Sequence, residues 1–150
     1  MRDYITAVEE IFSILNAAWD DPLLGARAIP KMVTGMDWGY TPLLLQPGNE
    51  FRPTSLEIYG EANYQTATET KLLSESGHRS TGMLGVHIRY HRNDDVEVKI
   101  ARLLAQVVQK AFRSARSDWI SFSNERIVEA GFLKGKYQIN IFVTCSFETN

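Results

Sequence analysis

Cysteine is almost missing from this chain. Cys145 is the only one in 150 residues, so no internal disulfide can form, and the composition fits synthesis in a reducing compartment. Cys145 falls on the apolar parity of an alternating stretch, which reads as a small buried hydrophobe and not as a nucleophile or metal ligand. Proline is confined: all five (Pro22, Pro30, Pro42, Pro47 and Pro53) lie in one window, and the patterns outside it run without a breaker. No run approaches the ~18–20 consecutive apolar residues that a membrane-spanning helix needs. Met1-Arg2-Asp3-Tyr4 opens an amphipathic pattern carrying Glu9 and Glu10, without the unbroken apolar run of a secretory signal. A soluble protein, not exported by that route and with no membrane partner, is expected. An excess of one charge is also lacking. The formal net charge of −2 gives no global field toward nucleic acid or membrane. Internal repeats and low-complexity tracts are absent, too.

What is present suits one domain spanning residues 1–150. Hydrophobic residues make up 44% and charged residues 23%, close to the soluble globular average, and the length allows a real core. The clearest pattern starts at Thr81. Leu84, Val86, Ile88 and Tyr90 share one parity, and Met83, Gly85, His87, Arg89 and His91 share the other, as in a strand with one face on a core. Asn93, Asp94 and Asp95 break that pattern with side chains suited to the open N–H groups and positive pole of a helix start. The period then becomes helical: Ile100, Leu103, Leu104, Val107, Val108, Ala111, Phe112 and Ala115 form one broad apolar stripe.

Asp3 to Trp19 reads as an N-terminal helix, with Ile5, Val8, Ile11, Phe12, Leu15 and Trp19 at helical spacing and Asp3 or Thr6 as cap. Residues 21–54 form a long Pro-rich arm without a regular period. It either wraps the domain and covers a sheet edge, or serves as a subunit-contact arm carrying Trp38 and Tyr40. Ser55 to Thr66 reads as a strand, in which Gly60 marks a bulge or the close approach of another backbone. The polar segment 67–80 reads as a long loop. Glu69, Lys71, Leu72, Leu73, His78 and Arg79 lie on it, and paired exposed leucines suggest a contact surface. Deleting the segment should then spare the fold and harm assembly. Trp119 to Glu129 forms a third strand with a bulge near Ser123 to Glu125, because Ile127 is out of parity with Ile120 and Phe122. Gly131 and Gly135 bracket a turn into the cleanest strand, Lys136 to Glu148. The expected architecture is α+β: a four-stranded, mainly antiparallel sheet, with the N-terminal helix and a long crossover helix on one face.

The search for chemistry returns little. His87 and His91 share a strand face but stand about 13 Å apart at the usual strand rise, too far to share one ion, and His78 has no carboxylate pattern beside it. Asn93-Asp94-Asp95 with Glu97 is explained by a helix start rather than by acid–base work. No phosphate-binding loop, nucleophile elbow or zinc-protease motif occurs. The basic helix face of Lys99, Arg102, Lys110, Arg113 and Arg116 lacks interleaved aromatics and reads as solvated. No enzyme, metal or cofactor is expected. The polar strand face with His87, Arg89 and His91, the arm and the loop are features of an assembly subunit.

The ordered wording of the segments resembles the tail terminator (tail completion) proteins of long-tailed bacteriophages. Leu56-Glu57-Ile58-Tyr59-Gly60-Glu61-Ala62 is similar to that family's first strand, and His78-Arg79-Ser80-Thr81-Gly82-Met83-Leu84 to its entry into the second. The helix with Ala101, Leu104 and Phe112 resembles its crossover helix. Arg126-Ile127-Val128-Glu129, Gly131 and Tyr137-Gln138-Ile139-Asn140 resemble its closing hairpin. The likeness covers about two thirds of the chain, while the arm and the 67–80 segment look longer than the family norm. The resemblance implies a virion protein, made in the host bacterial cytoplasm, that forms a hexameric ring on the tail tube protein. The ring stops tube growth, meets a head completion or stopper protein, and passes genome DNA through its lumen without sequence-specific binding. It also implies no cofactor and no catalysis. Another neck protein, a head–tail stopper or connector, is the alternative.

Overall fold

The computed structural model of the protein describes residues 2–19, 31–33, 58–71, 77–90, 95–133 and 135–149. In chain order the elements are α1 (Tyr4–Trp19), β1 (Lys31–Val33), β2 (Ile58–Lys71), β3 (His78–Tyr90), α2 (Asp95–Ser114), β4 (Ile120–Leu133) and β5 (Lys136–Thr149). They build an α+β domain with one sheet in the order β1-β2-β3-β5-β4. The four long strands are antiparallel, as the alternation implies. The three-residue β1 adds a short parallel strand, Lys31 to Val33 beside Gly60 to Ala62. It comes from the Pro-rich arm, so that segment does cover part of a sheet edge. The rest of the arm, with Trp38 and Tyr40, lies outside the described residues.

Asp3 caps α1: its Oδ1 accepts from the Thr6 amide at 2.8 Å and its carbonyl from the Ala7 amide at 3.1 Å. Hydrogen bonds from Thr6, its backbone amide first and then its side-chain hydroxyl, hold the Asp3 carboxyl below the ordinary range. The apolar stripe of α1 (Ala7, Val8, Ile11, Phe12, Leu15) is buried together with Ala101, Leu104, Ala105, Val108 and Phe112 of α2. Both stripes join the sheet face carrying Leu84, Val86, Ile88, Ile139, Ile141, Val143, Cys145 and Phe147 in one core. Each large side chain so buried contributes about 1.5–3 kcal/mol of transfer free energy, which makes this layer the source of stability. Cys145 is fully buried there, and burial pushes its thiol up to about 12. Among the described residues no helix is long and apolar enough to cross a membrane.

Several sequence expectations need correction. Residues 67–80 are not one long loop: β2 continues to Lys71 and β3 begins at His78. Thr66, Thr68 and Thr70 are β-branched and suit a ladder although they lack an apolar partner face, so a polar composition was misleading. Deleting 67–80 would remove the pairs Thr68↔Thr81, Glu69↔Ser80, Thr70↔Arg79 and Lys71↔His78, and so would not spare the fold. The β2 bulge sits between Thr66 and Thr68, not at Gly60. Gly60 is instead where the Trp19 indole lies on the strand: a Cβ there would stand 2.0 Å from Cη2. Leu103 is 38% exposed, outside the buried stripe. In β4 the expected bulge is present between Ser123 and Arg126, with Asn124 at φ 53°, and it returns Ile127 to the parity facing Ile141. Gly131 belongs to a second irregularity inside β4, and only Gly135 lies in the turn, at φ 81°.

Candidate assembly surface

No described helix covers the second face of the sheet. Its residues come from the polar parities of β2, β3 and β5, and register aligns them in rows. Glu61, His87, Asn140 and Val128 form one row. Asn63, Gly85, Phe142 and Arg126 form the next. Arg89 and Gln138 pair beyond the first.

These rows are tied by side-chain hydrogen bonds across three strands. Arg89 donates to Glu61 Oε2 at 2.6 Å and to Gln138 Oε1 at 3.2 Å. Gln138 Nε2 donates to Asn140 Oδ1 at 2.6 Å, and His87 Nδ1 lies 2.7 Å from the same oxygen. An acceptor there requires Nδ1 to carry the proton. The 3.5 Å approach of Gln138 Nε2 to Nδ1 is then a contact between donors, not a hydrogen bond. The His87 ring also stands edge-on to Phe142, with centroids 6.1 Å apart, and its Nε2 would be 3.3 Å from any Cβ added at Gly85. The space above Gly85 is thus taken by its neighbours.

Toward β4 the face becomes apolar. The Arg126 guanidinium lies 5.1 Å from the Phe142 ring centroid and its Nη2 3.7 Å from Met83 Sδ. Arg, Met and aromatic side chains grouped on a charge-poor surface match the composition of interface centres better than that of an average surface. The charges on this face are mostly matched internally. Glu61 and Arg89 pair while three-quarters buried, and Arg79 pairs with Glu148 at 2.5 Å at the exposed far end.

The residues singled out from sequence fall into two groups. His87 and Arg89 belong to this network. Glu69, Lys71, His78 and Arg79 lie at the distal end of the β2–β3 ribbon, roughly 23–30 Å along the strand from His87 at the usual rise. The two groups do not converge. Leu72, Leu73 and His91 lie outside the described residues, as do Trp38 and Tyr40. Sequence reasoning placed Met83 on the face of His87 and Arg89, but missed Glu61, Arg126, Gln138, Asn140 and Phe142 as members of one surface with them. Phe142 is the one aromatic residue among Gln138, Asn140, Thr144 and Ser146 on the polar parity of β5, and that anomaly is the available signal.

Among the described residues no three His, Cys, Asp or Glu side chains are grouped so as to hold a metal ion. An open, polar depression of about 500 Å³ lies beside the start of β4. It is lined by Arg2, Ser117, Asp118, Trp119 and Glu148, and Trp119 is anchored there by its Nε1 donating to Glu10 at 2.9 Å.

No family model matches the chain, and no curated protein matches it. Solved structures do. One is a chain in the virion of a native gene transfer agent particle, aligned over 97% of this chain and 99% of that one, with a TM-score of 0.51 and 13% identity. At that identity the likeness is one of fold, and it extends over nearly the full length of both chains.

Proposed function

We propose that this chain is a non-enzymatic structural subunit of a phage-like virion, of the tail terminator class. In this reading its copies form a hexameric ring on the last ring of tail tube protein. The ring stops tube growth, presents its other side to a head completion or stopper protein, and lets genome DNA pass through the lumen without reading its sequence. It acts in the tail or neck, after synthesis in the bacterial cytoplasm. The observation that carries the proposal is the end-to-end fold match with a subunit of a gene transfer agent virion. The ordered segments from Leu56 to Asn140 that resemble tail terminators support the finer assignment. The charge-poor, hydrogen-bonded sheet face suits a protein contact, since fixed side chains have less freedom to lose on association.

The test is electron microscopy of particles made without this protein. Over-long tails are the expected result. Filled heads that leak or lack tails would instead make it a stopper or connector, and particles of normal form and yield would remove both roles.

A further inference from the structure

The margins of the sheet differ from its faces. On one side, β1 reaches only as far as Ala62, and among the described residues no strand lies beside β2 beyond that point. The last seven residues of β2, Gln65 to Lys71, are all exposed, yet they remain paired with β3 on their other side, apart from the bulged Ala67. Three of them are threonines, so the segment combines strand propensity with an outer row of N–H and C=O groups beside which no described strand lies. Such an edge is a template for another strand.

The opposite margin is β4. Its two irregularities leave Arg126 to Glu129 in regular register between them. In that window Ile127 is 37% and Val128 41% exposed. Edge strands of soluble proteins are normally guarded by charge or by covering chain, so β-branched apolar side chains on an edge point to something that covers them.

Strand direction decides which strand fits. β2, β3, β5 and β4 alternate, so β2 and β4 run antiparallel within one copy. A second copy placed beside the first in the same orientation therefore brings its β2 against the first copy's β4 in the antiparallel sense, continuing the sheet. Charge does not oppose this. The β2 edge carries Glu69 and Lys71, and the β4 window carries Arg126 and Glu129, so each segment is neutral overall. Glu129 is further held by Arg102 at 2.6 Å. A contact between two different patches is heterologous: it closes into a ring or runs on as a filament.

We infer that the two sheet edges form a head-to-tail self-association pair, with the Gln65–Lys71 edge of one copy adding to the outer edge of β4 in the next. Closure into a ring rests on the function proposed above; the edge pairing itself does not.

The test uses the purified full chain, sedimentation and native mass spectrometry, with circular dichroism to establish folding. Adjacent residues of a strand point their N–H groups to opposite edges, so Glu69→Pro and Thr70→Pro are made separately. One of the two removes an outward donor without touching the β3 ladder, and Thr68→Lys is a third edge variant that keeps every backbone donor. Ile127→Lys with Val128→Lys blocks the β4 edge. Wild type should assemble, and each folded edge variant on its own should be monomeric. Mixing a β2-edge variant with the β4-edge variant leaves one good edge on each partner, so the mixture should give a heterodimer and nothing larger. Dimers of the β4-edge variant alone would show β2 pairing with itself and overturn the head-to-tail contact. Assembly unchanged in every folded variant, or a wild type monomeric at all concentrations, would overturn it equally. The two proposals fail separately. Filaments obeying the mixing rule would uphold the edge contact against the ring, whereas rings that survive every edge variant would do the reverse.

Discussion

Gly60→Ala adds one methyl group, and the structure makes it one of the most disruptive small changes available. Gly60 is buried in β2, and the Trp19 indole lies across it at the end of α1. A Cβ at residue 60 would stand 2.0 Å from Trp19 Cη2, 2.5 Å from Cζ2 and 3.0 Å from Cζ3, the first two closer than non-bonded carbons approach. The opposing group is a rigid ring in the core and not the end of a flexible side chain, since Trp19 is 4% exposed. Relief requires α1 to lift or the indole to leave its site. Overpacking of a well-filled core costs about 1–3 kcal/mol. Full expulsion of the ring would approach the roughly 3–5 kcal/mol of a buried Trp→Ala change. A destabilisation of about 2–4 kcal/mol in urea unfolding is therefore expected, together with a red shift of tryptophan emission in the folded state. The double variant Gly60→Ala, Trp19→Leu should recover part of the loss, because the smaller side chain vacates the space. The two residues are in contact, so their effects should not add. A change within about 0.5 kcal/mol, with unshifted emission, would refute the seating of α1 on β2.

Other perturbations test other parts of the core. Leu104→Ala, at a fully buried position of α2, should cost about 2–5 kcal/mol in urea unfolding, and a negligible loss would mean that the helix presents another face to the sheet. Asp3→Ala should lower the thermal midpoint at neutral pH by removing the cap of α1, while Asp3→Ser should retain most of the wild-type value. Cys145 should resist thiol reagents in the folded state at pH 8. Burial raises its folded value from 9.0 to about 12, so the unfolded thiol ionises first, and its contribution is whole below pH 9 and lost as pH climbs toward 12. Cys145→Val should flatten that part of the stability profile. Burial raises the Tyr64 hydroxyl as well, so some alkaline slope should persist in the variant.

The helix-side half of the fold was legible because burial writes itself into periodicity. The alternation of Leu84, Val86 and Ile88, and the spacing of Leu104, Val108 and Phe112, each follow from one face meeting an apolar core. The bulge at Asn124 was legible for the same reason, since Ile127 fell out of step with Phe122. The distal half of β2 was not. Gln65 to Lys71 has no buried face, so its strand character comes from pairing with β3, and pairing leaves no hydrophobic signature. β1 escaped notice because three residues are too few to display a period. The polar sheet face was only partly visible. Period two placed His87 and Arg89 on one side of β3 and Gln138 and Asn140 on one side of β5. The register that sets Arg89 beside Gln138 and His87 beside Asn140 is a tertiary fact.

That register also bears on why this face is unusual for a surface. A solvated strand face needs only hydrophilic side chains, and long exposed ones gain entropy by remaining free. Here Glu61, Arg89, Gln138, Asn140 and His87 are joined by short hydrogen bonds across three strands, and Arg126 is laid flat on Phe142 and Met83. Ordering these side chains costs about 0.5–1.5 kcal/mol each, and a typical hydrogen bond returns only about 0.5–1.5 kcal/mol net, so the network adds little if folding alone is considered. It becomes sensible if the ordering is completed before another protein arrives. A partner then meets a flat, nearly neutral surface whose side chains have little freedom left to lose. On this view the two faces answer different requirements. The helix side supplies the folding free energy, and the opposite side holds polar groups in fixed positions, as the proposed contact with a partner requires.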